Sequence, residues 1–152
     1  MQTDKLIRIK NANYHLKALA VMNKNFLSAC AELEVGEGLE SEISFESNAI
    51  VVSALGYRAK AECHYVRSVD DEFFAEYVFY AQMGDDKVEI WRFYLTEFGQ
   101  VYETPSIDHQ LFDYDNRNAV KNICANVIIG MLNSALFSPA PTACQELDEK
   151  LI

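Results

Sequence analysis

The stretch FFAEYVFYAQMGDDKVEIWRFYLT, from Phe73 to Thr96, decides the fold. Two arms rich in aromatic and β-branched residues flank Met83-Gly84-Asp85-Asp86. Glycine tolerates a positive φ, so Gly84-Asp85 suits the tight turn of a two-residue hairpin. That turn sets Met83 opposite Asp86, Ala81 opposite Val88 and Tyr77 opposite Arg92. One face then gathers Phe73, Ala75, Tyr77, Phe79, Ala81, Val88, Ile90 and Tyr94, with Arg92 and Thr96. The other gathers Phe74, Val78, Tyr80, Trp91, Phe93 and Leu95, with Glu76 and Glu89. Both faces are rich in aromatics, so neither reads as a solvated side. A continuous apolar patch of this kind is uncommon on a monomer. Either the sheet curls and loops cover it, or a second subunit does. The pattern thus predicts a homodimer, with Trp91, Phe93 and Tyr80 in its interface or with the C-terminal helix as the contact.

Outward from the hairpin, the two-residue period continues from Glu42 to about Glu103. Ile43 and Phe45 alternate with polar neighbours, Ser47-Asn48 makes a turn, and Ala49–Leu55 is almost wholly apolar. Gly56 turns the chain into a strand in which Ala59, Ala61, Cys63 and Tyr65 alternate with Arg58, Lys60, Glu62 and His64, one face inward and one toward water. Ser68–Asp71 and Glu97–Gly99 supply further turns, and Gln100–Glu103 a stub. This predicts an antiparallel meander of five to six strands.

Helical periods flank the meander. Leu19, Met22, Phe26, Cys30 and Leu33 recur at three- and four-residue steps. Asn11 or Asn13 can cap this helix, Gly36 can close it, and Leu6–Ile9 is a lead-in or short strand. After a loop from Pro105 to Tyr114, Asp115 or Asn116 opens a second helix carrying Val120, Ile123, Val127 and Met131, which Pro139 and Pro141 end. Lys121 is its only charged residue between Arg117 and Glu146. The neutral Asn122, Asn126, Gly130 and Asn133 oppose its apolar stripe, so the helix is expected to be buried on both sides. Lysine and three asparagines make it costly in a bilayer, so no membrane span is expected. The fold class is α+β in two layers: N-terminal helix, meander, C-terminal helix. Residues 1–141 form one domain, and 142–152 an acidic, frayed tail.

Half of the 152 residues are hydrophobic, enough for a core that needs neither metal nor disulfide. The net charge of −10 is unevenly spread. Residues 1–31 hold Lys5, Arg8, Lys10, Lys17 and Lys24 against Asp4 alone. The remainder repels phosphate backbones, which excludes nucleic acid as a partner and favours a basic protein. The N-terminus lacks a signal-peptide core, and the four cysteines lack paired spacing, so a cytoplasmic protein with free thiols is expected.

No motif names a reaction. Cys63 and His64 are adjacent on a strand and point to opposite faces, so they cannot form a nucleophile–base pair. Asp108, His109, Asp113, Asp115 and Asn116 have metal-ligand chemistry without metal-ligand spacing; a solvated loop and a helix cap account for them. Gly36-Glu37-Gly38 lacks the strand–helix context of a phosphate loop. Neither metal nor cofactor is expected. Glu32, Glu34, Glu37, Glu40, Glu42 and Glu46 form a run without a base, a solvated edge that can also receive a basic partner, with Glu37, Glu40 and Glu42 at its centre. In size and charge the chain resembles the small acidic secretion chaperones, which put helices on a sheet and dimerise. It departs from them in having no helix amid its strands. The reading is a non-enzymatic interaction protein of adaptor, chaperone, immunity or antitoxin type. The alternative is a small-molecule-binding or catalytic domain with a pocket between sheet and helices, lined by Tyr65, Tyr77, Arg92 and Tyr94.

Overall fold

A computed structural model describes residues 2–106 and 108–137. Helix α1 spans Thr3–Ala31 and is followed by strands β1 (Glu42–Glu46), β2 (Ala49–Ala54), β3 (Tyr57–Arg67) and β4 (Phe73–Met83). Strands β5 (Asp86–Thr96), β6 (Gln100–Tyr102) and β7 (Gln110–Asp113) continue the meander. Helix α2 (Ala119–Leu132) and a 3-10 turn (Ala135–Phe137) follow. The strands form one antiparallel sheet in sequential order, seven rather than the expected five to six. The additional strand is β7, inside the expected loop. It pairs with β6 and buries Phe112, but four residues are too few to reveal a period.

Both helices pack on one face of this sheet. Their buried residues share a cluster with Ile50, Val52, Ala59, Ala61, Tyr77, Phe79, Phe93 and Leu95. Helix α1 meets β1, β4 and β5 while α2 meets β2 and β5, so the sheet curls around its helical filling.

The β4–β5 register holds as far as the pairs Met83–Asp86, Ala81–Val88 and Tyr80–Glu89. There a bulge intervenes, and Phe79 faces Trp91, Tyr77 faces Phe93 and Ala75 faces Leu95. One extra residue in a strand inverts the parity of everything beyond it. Trp91, Phe93 and Leu95 therefore join Tyr77 and Phe79 on the helix side, while Arg92, Tyr94 and Thr96 move to the outer side. This corrects the expectation of two aromatic faces. The outer side keeps a small strip, Phe74 against Tyr94 with ring centroids 6.1 Å apart. Elsewhere it is charged, with Lys60 opposite the buried Val51 and its aliphatic stem available to cover it.

All four helix boundaries also differ from expectation. Residues 6–9 are helical, and the cap is Gln2 rather than Asn11 or Asn13. No proline or glycine lies between Thr3 and Ala31 to stop the helix, and asparagine in mid-helix costs only tenths of a kcal/mol, about 0.7 at most. Helix α1 ends at Ala31, and Gly36, with φ +85°, belongs to the following loop. Helix α2 starts at Ala119, because Asn116 accepts the Asn118 N–H in a turn ahead of it. It ends at Leu132, where Ser134 Oγ donates to the Met131 carbonyl. Pro139, Pro141 and the expected 142–152 tail lie outside the described residues.

Helix α2 is not buried on both sides: Ala119, Val120, Ile123, Cys124, Val127 and Met131 are buried, while Lys121, Ile129, Leu132 and Asn133 face solvent. The small residues have a different cause. A Cβ at Gly130 would stand 2.4 Å from the Ile90 carbonyl oxygen, so glycine permits α2 to cross the β5 backbone at the bulge. Gly130→Ala should therefore lower stability by about 1–3 kcal/mol, although alanine gains about 1 kcal/mol in helix propensity. Urea denaturation checks this, and a stabilised variant would contradict the close crossing.

Candidate functional site

Helix α1 has two dissimilar faces. Toward the sheet it buries Leu19, Asn23, Phe26 and Cys30. Asparagine amid this core is held by a polar chain: Tyr77 Oη donates to Asn23 Oδ1, and Asn23 Nδ2 donates to Asn48 Oδ1 at 3.1 Å. Asn48 sits at φ +57° in the β1–β2 turn, where asparagine is among the best-tolerated residues, and its carbonyl accepts the Cys63 N–H at 2.8 Å. Phe26 packs on the Tyr77 and Phe93 rings, with centroids 6.1 and 5.8 Å away. Burial pushes the Tyr77 hydroxyl, the Cys63 thiol (to about 11) and the Cys30 thiol (to about 12) upward. The Cys124 thiol is raised for the same reason.

Toward solvent, α1 displays Ile7, Tyr14 and Val21, which are 51%, 70% and 61% exposed. Seven residues make nearly two turns, so these three form one stripe, and Lys10, Lys17 and Lys24 form a second beside it. Leu6 and Ile9 add exposed apolar surface, and residues 2–11 are exposed throughout. The three lysines lie off the core stripe, as their spacing suggests. The apolar stripe carries no core signal in the sequence: its residues recur every seven positions, off the three- and four-residue steps of the buried face, and Ile7 precedes the expected start of the helix.

At the other end of α1 the chain passes through Glu32–Ser41 into β1. Glu32, Glu34, Glu37, Glu40, Glu42 and Glu46 are all exposed there, while Leu33, Val35 and Leu39 pack against the core. The run is thus a solvated edge anchored from beneath. Arg58 and Lys60 approach Glu46 at 3.9 and 3.7 Å, and Lys60 also approaches Glu62 at 3.8 Å; as exposed pairs these contribute under about 1 kcal/mol each.

A third feature was not legible in the sequence. The N-terminal half of α1 stands over the β3–β4 turn, where Asp71 accepts from Arg8 Nε and Nη2 at 3.0 and 3.1 Å and from Arg67 at 3.0 Å. These guanidinium contacts hold the Asp71 carboxyl below its ordinary range. His15 Nδ1 lies 2.9 Å from both oxygens of Glu97, so the carboxylate fixes the orientation of the ring. Two open hollows of about 480 and 210 Å³ adjoin here, sharing His15, Asp71 and Phe73.

The residues expected to line a pocket are not brought together. Tyr65 and Tyr77 are on the helix side, whereas Arg92 and Tyr94 are on the outer side. Arg92 is already engaged by Glu89, by Glu76 at 3.7 Å and by the Tyr94 hydroxyl at 3.3 Å. Of the hairpin residues expected at an interface, Phe93 is fully enclosed, Trp91 is half-buried against Phe79 and Phe93, and Tyr80 is exposed on the outer side. Cys63 and His64 do point to opposite faces: Cys63 pairs with Tyr77, while His64 lines an outer hollow of about 470 Å³ with Glu76 and Tyr80. In the loop, Asp113 accepts from Gln110 at 2.6 Å and Asn116 caps the turn before α2.

Among the described residues, no three His, Cys, Asp or Glu group as metal ligands, and no helix is long and apolar enough to cross a membrane. No known protein family, curated protein or solved structure matches the chain.

Two outcomes check the inner face. Tyr77→Phe leaves Asn23 Oδ1 without its donor and should cost about 1–3 kcal/mol in denaturant unfolding; an unchanged midpoint would deny the polar chain. With Cys144→Ala as background, the raised pKa values keep the three remaining thiols protonated at pH 8. They should react with an aqueous thiol reagent far more slowly than after unfolding. Equal rates would contradict their burial.

Proposed function

We propose that this chain is a non-enzymatic protein-interaction protein, of adaptor, chaperone, immunity or antitoxin type, whose working surface is the solvent face of α1. The observation that carries this reading is the stripe Ile7, Tyr14 and Val21, three large apolar side chains each more than half exposed and aligned along one helix face. Fully burying an aliphatic side chain of this size is worth about 1.5–3 kcal/mol, so three aligned along one helix favour a partner. The run around Glu37, Glu40 and Glu42 supports a partner with basic surface, since it lacks any base of its own and would steer such a surface into contact. A homodimer in the cytoplasm is the assembly consistent with both.

The test is site-specific photocrosslinking in the native cell, with the reactive group at position 14, at position 37 or, as control, at position 64 on the outer sheet face. Discrete protein adducts from 14 and 37, and none from 64, are expected. A chain of 17.3 kDa that forms no adduct from either position would overturn the reading.

A second reading, a ligand-binding or catalytic domain, is favoured by one observation, the Glu97-oriented His15 beside the two adjoining hollows. A histidine oriented by a carboxylate is the arrangement a general base requires. If that reading holds, a ligand that raises the melting temperature of the wild-type chain should lose its effect in His15→Ala.

A further inference from the structure

We infer that the first basic partner of the acidic run is a second copy of this chain, docked antiparallel along α1. This rests on the reading that the α1 face binds protein. The basic surface that the acidic run requires is present on the chain itself. Helix α1 and its lead-in hold five bases against Asp4 alone, while Glu32–Glu46 holds six acids and no base. The two lie at opposite ends of a 29-residue helix about 44 Å long. A helix with a basic N-terminal half, followed at its C-terminal end by an acidic run, is electrostatically self-complementary when two copies run in opposite directions.

The register follows from the stripe. A two-fold axis at Val21 sets that residue against its copy at the centre. Tyr14 then lies over Ser28, and Ile7 reaches past the partner's Ala31, where its α1 ends. The same axis brings Lys10 to the end of the partner's helix at Glu32, where the acidic run begins. Lys17 falls against Asn25 and Lys24 against Ala18, so no lysine meets a lysine. A parallel pair would align Lys10, Lys17 and Lys24 with themselves and the acidic runs with each other, which like-charge repulsion opposes. The apolar stripe supplies affinity, and the charges choose direction.

Sedimentation of the full chain at micromolar concentration and low salt tests this. The expected species is a dimer, weakened at least tenfold by Tyr14→Glu or Val21→Glu, both exposed positions that leave the core intact. Lys10→Glu should weaken it as well, and adding Glu32→Lys should restore it; added salt should weaken the wild type and the swapped chain alike. A monomer at every concentration would overturn the inference, as would a dimer indifferent to positions 14 and 21 or a failed restoration. Tyr14-dependent binding of a monomeric chain to phosphatidylserine vesicles would also overturn it and assign the face to a membrane surface. Position-14 photoadducts of a different protein, on a monomeric chain, would keep the interaction reading while removing this one.

Discussion

The bulge in β5 beside Ile90 is the constraint on which the rest of the architecture depends. Without it, Phe93 and Leu95 would face away from the helices and leave Phe26 with Tyr77 alone among the hairpin's rings. With it, Tyr77, Phe79, Trp91 and Phe93 occupy one side, with the Tyr77 and Phe93 rings stacked 4.9 Å apart. The same place receives α2, whose Gly130 lies directly against the Ile90 carbonyl. A single inserted residue thereby sets the curl of the sheet, the aromatic floor under α1 and the crossing of α2.

The inner and outer faces of α1 are then complementary in purpose. Inward, an asparagine is committed to Tyr77 and Asn48, and a buried polar group satisfied in only one arrangement fixes how the helix lies. Outward, the helix is held firmly enough to display Ile7, Tyr14 and Val21 in a line. The Arg8–Asp71–Arg67 contacts steady its N-terminal half against the β3–β4 turn, although exposed pairs of this kind add little stability. The acidic loop at the other end is pinned by Leu33, Val35 and Leu39, which leaves its glutamates outermost.

Much of the fold was legible because strand periodicity and turn residues are local signals. Ser47-Asn48, Gly56, Ser68–Asp71, Gly84-Asp85 and Gly99 each mark a turn that the structure contains. What stayed hidden was set by tertiary packing. The bulge has no local mark, since Glu89-Ile-Trp-Arg92 reads as an uninterrupted strand; only the demand of α2 and Phe26 selects it. The first turns of α1 bury nothing, so no periodicity reveals them. Ile7, which they carry, and the His15–Glu97 contact across 82 positions were accordingly invisible, whereas the glutamate run was plain from composition.

The account stands on where Phe93 points, and nuclear Overhauser contacts from its ring protons report that directly. The bulged register predicts contacts to Phe26 and Tyr77. Contacts instead to Phe74 and Val78 would place Phe93 on the outer side, restore two aromatic faces to the hairpin and contradict the account.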